Sequence, residues 1–136
     1  MQETEVKHSS TACKAHMLPI TDTLEIVGGK WKLPILFELI RSGKAMRFME
    51  IQRNIGGITS KMLSKELKDL ELNQLVERTV YPTTPVTVEY AMTDYGRTLG
   101  KVIRALENWG TKHRARILDG IEEPVNLDNT GCPSRD

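Results

Sequence analysis

The chain has 136 residues, of which 39% are hydrophobic and 27% are charged, and its formal net charge is +1. These values are typical of one domain with tails, and they exclude a disulfide-rich scaffold and a chain that is basic throughout. No apolar run reaches the roughly 20 residues needed to cross a bilayer and the N-terminus has no hydrophobic signal core, so we expect a cytoplasmic protein without a membrane partner.

Charge is distributed unevenly along the chain. Residues 30–68 hold nine basic and three acidic side chains, a local balance of +6, whereas residues 119–136 hold five acidic side chains and one basic one. A basic segment in a nearly neutral protein indicates a face that binds a polyanion, although scattered solvated lysines would give the same count.

The first third of the chain predicts an arm followed by two helices. Residues 1–16 are polar and irregular, which is typical of a flexible arm. Helical spacing of apolar residues starts after Pro19, and Gly28-Gly29 ends that helix. A second helix begins near Lys30 and closes at Gly43.

The next segments predict two helices joined by a glycine turn. The sequence MRFMEIQRNIGG, residues 46–57, reads as a short helix that ends in the turn. Thr59 or Ser60 can cap the helix that follows. Its leucines recur with helical spacing and define a core face: Leu63, Leu67 and Leu70.

From Leu75 the period changes from that of a helix to that of a strand. Residues 75–82 and 86–93 alternate β-branched or aromatic with polar side chains, which predicts a two-stranded hairpin with a proline-bounded tip. A last long helix follows, with Thr93 as its candidate cap. The tail, residues 119–136, is acidic and rich in turn formers, so we expect it to be disordered.

The order helix, helix, turn, helix, hairpin, helix predicts a mostly α fold with a small β-hairpin wing. This is a winged helix-turn-helix, whose domain we place at residues 17–118, and such a fold inserts its second turn helix into the major groove of DNA. The face of that helix opposite the leucines carries side chains suited to phosphates and base edges: Lys61, Ser64, Lys65 and Lys68, with Ser60 at the helix start. Further candidates for phosphate contacts are Arg47, Arg53 and, in the first wing strand, Arg78.

Several ordered segments resemble the HxlR-type family of bacterial winged-helix regulators. They are TLEIVGGKWKLPIL, RFMEIQR, GITSKMLSKELKDLE, LVERTVYP and VEYAMTDYGRTL, and they extend from about Pro19 to Trp109. The resemblance implies a homodimeric DNA-binding transcription factor whose N- and C-terminal helices form the dimer interface. It implies that the helix Ser60–Asp69 reads the operator and that the hairpin contacts neighbouring backbone or minor groove. A dimer further predicts an operator that is an inverted repeat.

Two positions depart from the family's pattern. Many members of the family carry a sensing cysteine directly before the proline that opens the first conserved helix. This chain has Leu18 before Pro19, and Cys13 lies five residues before Leu18. Many members also carry a basic residue at or close to the third position before the EY of the second wing strand. Here the segment 83–88 has no Lys or Arg, which leaves Arg78 as the basic candidate of the wing.

Cys13 is the candidate sensor of a chemical signal. Lys14 and His16 lie close to it in sequence, and positive neighbours make a thiol more reactive towards oxidants and electrophiles. An ordinary exposed thiol is the alternative, and a small-molecule effector bound between the dimer helices is a second route to regulation. An intersubunit disulfide involving Cys132 is a further alternative.

The sequence predicts no catalytic activity, no metal site and no cofactor. It has no nucleophile–base arrangement and no glycine-rich phosphate loop, and Cys13 with His16 is too small a ligand set for a metal. The rival to a DNA-binding regulator is a winged-helix module that binds only proteins, since a fold does not fix a function. The basic face of the Ser60–Asp69 helix favours DNA.

Overall fold

The computed structural model describes the backbone of residues 2–120 and the side chains of residues 13–120. The described elements are, in chain order, α1 Gln2–Val27, α2 Lys32–Ser42, β1 Met46–Arg47, α3 Phe48–Ile55, α4 Ser60–Leu72, β2 Val76–Tyr81, β3 Thr87–Met92, α5 Asp94–Arg97 and α6 Gly100–Leu118. Helix α1 belongs to one compact unit, and residues 28–120 belong to another. The predicted architecture, a mostly helical chain with a small β wing, is confirmed.

Helix α1 takes the place of the predicted irregular arm. The backbone is helical from Gln2 to Val27, so the expectation of irregular structure for residues 1–16 is wrong over the residues described. Pro19 lies inside the helix, and the Thr23 hydroxyl donates to the Pro19 carbonyl oxygen at 2.7 Å. The helix ends at Gly28-Gly29 as predicted, where Gly29 has a φ of 91°.

Helices α2, α3 and α4 form the helix-turn-helix layer. Helix α2 closes at Gly43, which has a left-handed φ of 66° and donates its N–H to the Leu39 carbonyl. Gly56 and Gly57 link α3 to α4 with φ values of 74° and 76°, a conformation that a residue with a Cβ rarely adopts. The predicted glycine turn is therefore confirmed. The core between these helices is apolar and fully buried, with side chains from Ile35, Leu36, Leu39, Ile51, Leu63, Leu67 and Leu70.

The wing is part of a three-stranded antiparallel sheet of order β1-β3-β2. Strands β2 and β3 pair from Val76↔Met92 to Tyr81↔Thr87, which confirms the predicted hairpin. Met46 and Arg47 were expected to begin a helix, but they form β1 and pair with Tyr90 and Glu89. This strand turns the wing into a sheet whose base is anchored in the core.

The predicted single last helix is wrong, because two helices occupy that segment. Thr93 caps the short α5 by accepting the Gly96 N–H at 2.8 Å, and α6 begins only at Gly100. In the described chain none of the residues of α6 is buried. The tail beyond Gly120, including Cys132 and most of the expected disordered segment, lies outside the described residues.

Candidate nucleic-acid interface

Helix α4 has two faces of opposite character. Leu63, Leu67 and Leu70 point into the core with exposed fractions of 0%, 1% and 0%. On the other side Lys61, Ser64, Lys65 and Lys68 are all exposed. The structure thus brings together the four side chains predicted from the spacing of the leucines, on one solvent-facing surface of a single helix.

The start of α4 is fastened to α3. Thr59 is the cap, since its hydroxyl accepts the Met62 N–H at 3.1 Å. Gln52 of α3 donates from Nε2 to the Ser60 hydroxyl and to the Ile58 carbonyl, both at 3.1 Å, and the Ser60 hydroxyl lies 3.4 Å from Gln52 Oε1. The side chain of Ser60 is therefore engaged within the protein, and it fixes the orientation in which α4 leaves the turn.

A cluster of ion pairs, which we call the α4 ion cluster, lies along one edge of the same helix. Lys32 of α2 places its Nζ 2.8 Å from Glu66 Oε2 and 3.5 Å from Asp69 Oδ2. Lys65 places its Nζ 3.6 Å from a carboxylate oxygen of each of the same two residues. The hydrogen bond to Glu66 is the main reason why the pKa of Lys32 is raised above its ordinary value. Two cations from different helices thus share two carboxylates.

Sequence reasoning missed the role of Glu66 and Lys32. Glu66 has an exposed fraction of only 7%, although a glutamate in a basic segment suggests a solvated side chain. In the sequence, the one indication that Glu66 is buried is its position directly before the core residue Leu67. Its partner Lys32 lies on another helix, so the pairing depends on tertiary structure.

A cleft of about 240 Å³ lies between α4 and the wing. Ser64, Lys68 and Glu71 line it from the helix, and Arg78 and Tyr90 line it from the sheet. Lys68 and Arg78, predicted separately from a helix and from a strand, are therefore brought to the same cleft. Two cations at one concave site suit a phosphate of a nucleic-acid backbone.

Arg47 and Arg53 lie at the two ends of α3. Arg47 occupies the N-cap position and Arg53 the last turn, and both side chains are exposed. Neither forms an ion pair within the part of the chain that the structure describes. Their charges remain available to an anionic partner.

The tip of the wing, residues 82–87, carries no charged side chain and is internally hydrogen-bonded. The Thr83 hydroxyl donates to the Pro85 carbonyl at 2.7 Å and lies 2.8 Å from the Thr87 hydroxyl, and the Thr84-Pro85 peptide bond is cis. The large exposed side chains here are Val80, Tyr81 and Val86. Any contact made by this tip is therefore of van der Waals or hydrogen-bonding character rather than ionic.

Cys13 is half-buried on α1, and Lys14 and His16 are exposed beside it. No group of three or more His, Cys, Asp or Glu side chains that could hold a metal ion occurs among the described residues. The described helices include none that is both long enough and apolar enough to traverse a lipid bilayer.

The two longest described helices expose large apolar side chains. On α1 these are Met17, Leu18, Ile20 and Leu24, with exposed fractions between 57% and 62%. On α6 they are Val102, Leu106, Trp109, Ile117 and Leu118. The exposed Trp109 stacks on His113 with ring centroids 4.8 Å apart. Such surfaces are typical of protein interfaces.

A three-helix layer with a basic exposed helix, next to an antiparallel wing, defines a winged helix-turn-helix protein of the DNA-binding class. Comparison with known families agrees, because the sequence model of the HxlR-like helix-turn-helix family matches residues 26–117. The chain belongs to this family, and the resemblance found from the sequence motifs is confirmed.

Known relatives cover most of the chain. It is 42% identical over 99 residues to the HTH-type transcriptional regulator YdeP of Bacillus subtilis, which spans 73% of this chain and 76% of YdeP. It is 38% identical over 119 residues to YtcD of the same organism, which spans 85% of this chain and 93% of YtcD. Among solved structures, the redox regulator HypR in its reduced form has a TM-score of 0.67 and 35% identity, and the match covers 76% of this chain and 99% of HypR.

Proposed function

We propose that this protein is a transcriptional regulator that binds an operator in double-stranded DNA through α4. The observation that carries the proposal is the exposed surface formed by Lys61, Ser64, Lys65 and Lys68, opposite a leucine face that is fully buried. This surface lies in the helix that a winged helix-turn-helix inserts into the major groove. The family and the relatives named as transcriptional regulators support it. We expect no enzymatic activity.

Each candidate residue has a role suited to its position. Ser64 is short enough for α4 to approach base edges, and the three lysines neutralise phosphates on both sides of the groove. Lys68 and Arg78 bind one phosphate at the cleft between α4 and β2. Arg47 and Arg53 bind phosphates that flank α3, and Ser60 orients the helix through Gln52.

We propose a homodimer as the binding form. The exposed apolar side chains of α1 and α6 would be buried against a second copy, and both helices are long enough for an extended interface. Two copies related by a two-fold axis present two α4 helices, so the operator is an inverted repeat with half-sites one or two helical turns apart, about 10 bp per turn. The DNA-binding domain comprises residues 17–118 in this proposal, and the protein acts in the cytoplasm, where the operator lies.

For the signal we propose oxidation at Cys13. Cys13 is half-buried and is followed in the sequence by the cationic Lys14, and positive neighbours make a thiol more reactive towards oxidants. A peroxide would oxidise the thiolate to a sulfenic acid, while its O–O bond breaks and the second oxygen leaves as hydroxide or water. The similarity to the redox regulator HypR supports this choice over a bound effector. If Cys13→Ser still releases DNA on oxidant treatment, a different signal site is required.

The first experiment is a salt titration of binding to a pool of genomic fragments, followed by sequencing of the retained DNA. An enriched inverted repeat is expected, with a steep decrease of log K with log salt concentration, about 0.9 per phosphate contact. A variant with Lys61, Lys65 and Lys68 changed to alanine should lose the enrichment. Its matched control changes Lys14, Lys44 and Lys101, which gives the same net charge, and should keep it. Retention without enrichment, or equal loss in both variants, would contradict the proposal.

A further inference from the structure

We propose that Lys32 is a positioning residue for DNA binding, which neutralises Glu66 from the protein side and so leaves Lys65 available for a phosphate. Lys32 lies at the first position of α2 and is not part of the surface that faces DNA. The inference rests on the proposed function, because it concerns how the α4 surface keeps its positive charge.

The first step of the argument is that Glu66 requires a cation. With an exposed fraction of 7% its carboxylate has little access to water, and an ionised group in such a place is strongly destabilising unless it is paired. Lys32 supplies the pair at 2.8 Å, a charge-assisted hydrogen bond.

The second step is that the two lysines of the α4 ion cluster differ in how readily their side chains can leave the carboxylates. The side chain of Lys32 is 13% exposed, whereas that of Lys65 is 65% exposed. Both carboxylate contacts of Lys65 are 3.6 Å long, beyond the range of an ordinary hydrogen bond. Lys65 can therefore leave for a phosphate at small cost, and Lys32 remains with Glu66.

The third step concerns the cluster without Lys32. Among the described residues, Lys65 is then the only cation within 4 Å of Glu66. The desolvated carboxylate would hold Lys65 against the helix, because releasing it would leave a buried charge unpaired. The lysine that the sequence assigns to DNA would be occupied inside the protein.

The test is a double-mutant cycle on the operator, read as the slope of log K against log salt concentration. Lys32→Met keeps the aliphatic part of the side chain and removes the charge. Lys65→Ala is made in the native protein and in the Lys32→Met variant. Lys44→Met, two residues beyond the end of α2, is the control with the same change in net charge. The double variant Lys32→Met, Glu66→Gln removes both charges of the buried pair. It is used for the test if circular dichroism shows that Lys32→Met alone is unfolded.

We expect Lys65→Ala to lower the slope by about 0.9 in the native protein and by almost nothing in the Lys32→Met variant. Lys32→Met alone should lower the slope by the same amount, which is about an eightfold loss of affinity at 0.1 M salt relative to 1 M. Lys32→Met with Glu66→Gln should restore most of the slope, and Lys44→Met should leave it unchanged.

A different result is expected if Lys32 acts on the DNA directly, through the long-range electrostatic field of its charge. In that case Lys65→Ala would still remove its full share of the slope in the Lys32→Met variant, and the inference would be overturned. An unrestored slope in the variant that lacks both Lys32 and Glu66 charges would also overturn it. If the native protein shows no salt-dependent operator binding, the proposed function itself fails, which is a separate outcome.

Discussion

Replacement of Gly96 by alanine should destabilise the fold, although alanine is the better helix former. Gly96 lies in α5 against the end of the α4–β2 connection. An added Cβ would lie 2.9 Å from the carbonyl carbon of Leu75, closer still to its oxygen, and 2.9 Å from Cε of Met92. The methionine end can move, but the Leu75 carbonyl cannot do so freely, because it accepts the Thr93 N–H at 3.1 Å. The Thr93 hydroxyl, which donates to the Gln74 carbonyl at 2.6 Å, also lies 3.2 Å from the Leu75 carbonyl oxygen.

Two opposing contributions set the size of the effect. Alanine gains about 0.5–1 kcal/mol over glycine inside a helix, whereas overpacking costs about 1–3 kcal/mol. Weakening of the hydrogen bond from the Thr93 N–H to Leu75 adds about 1 kcal/mol. The free energy of unfolding of Gly96→Ala is therefore lower by about 2 kcal/mol, which lowers the melting temperature of a domain of this size by roughly 5–10 °C.

Thermal and urea denaturation followed by circular dichroism measure this difference. The matched control is Gly100→Ala, four residues along the chain in α6, where an added Cβ meets nothing within 4 Å. That variant should gain about 0.5 kcal/mol. If Gly96→Ala is as stable as Gly100→Ala, the close approach of α5 to Leu75 does not exist in solution and the reasoning is refuted.

Three further predictions concern the cap of α4, the stability of the protein at acid pH, and the wing. Thr59→Ala removes the cap of α4 and should lower the free energy of unfolding by about 1 kcal/mol, while Thr59→Ser keeps the hydroxyl and most of the stability; equal urea midpoints for the two variants would contradict the cap. Hydrogen bonds from Arg41 hold the pKa of Glu38 below its ordinary 4.5, so its contribution is present above that pH and is lost as the pH falls through the lower folded pKa. The free energy of unfolding, measured across about pH 2–6, should therefore depend less on pH in Glu38→Gln than in the native protein. An equal pH dependence in the two proteins would argue against the pairing of Glu38 with Arg41. Arg78→Ala should weaken DNA binding by a similar factor for different sequences and lower the salt slope by about one, whereas altered sequence preference would place Arg78 at a base edge.

Periodic features of the sequence predicted much of the site. The spacing of Leu63, Leu67 and Leu70 determined which side of α4 is buried, and this placed the lysines on the opposite side. The glycine turn and the two-residue period after Leu75 gave the positions of α4 and of the wing. These signals are local, because each depends on residues within a few positions of one another.

The features that sequence reasoning missed depend on contacts between distant segments. Strand β1 has two residues, too few to show a period, and it exists because β3 provides its partner. The break between α5 and α6 is associated with the packing of Gly96 on Leu75, which the apolar pattern of the last helix does not reveal. The pairing of Lys32 with Glu66 joins two helices, and α1 carries a largely polar N-terminal sequence in which helical propensity, rather than an apolar stripe, was the available signal.

The hydrogen bonds of α3 restrict how any signal can reach the DNA. Asn54 donates to Glu38 of α2 at 3.2 Å, and Gln52 connects α3 to the start of α4. The three helices are therefore expected to move together as a rigid body. In the proposed homodimer, which has one such body in each subunit, an inducing event would then change the separation or the angle between the two bodies rather than bend α4. The dimer would then leave the operator because the spacing of its two α4 helices no longer matches the helical repeat of DNA. The exposed surface of each α4 would itself be unchanged.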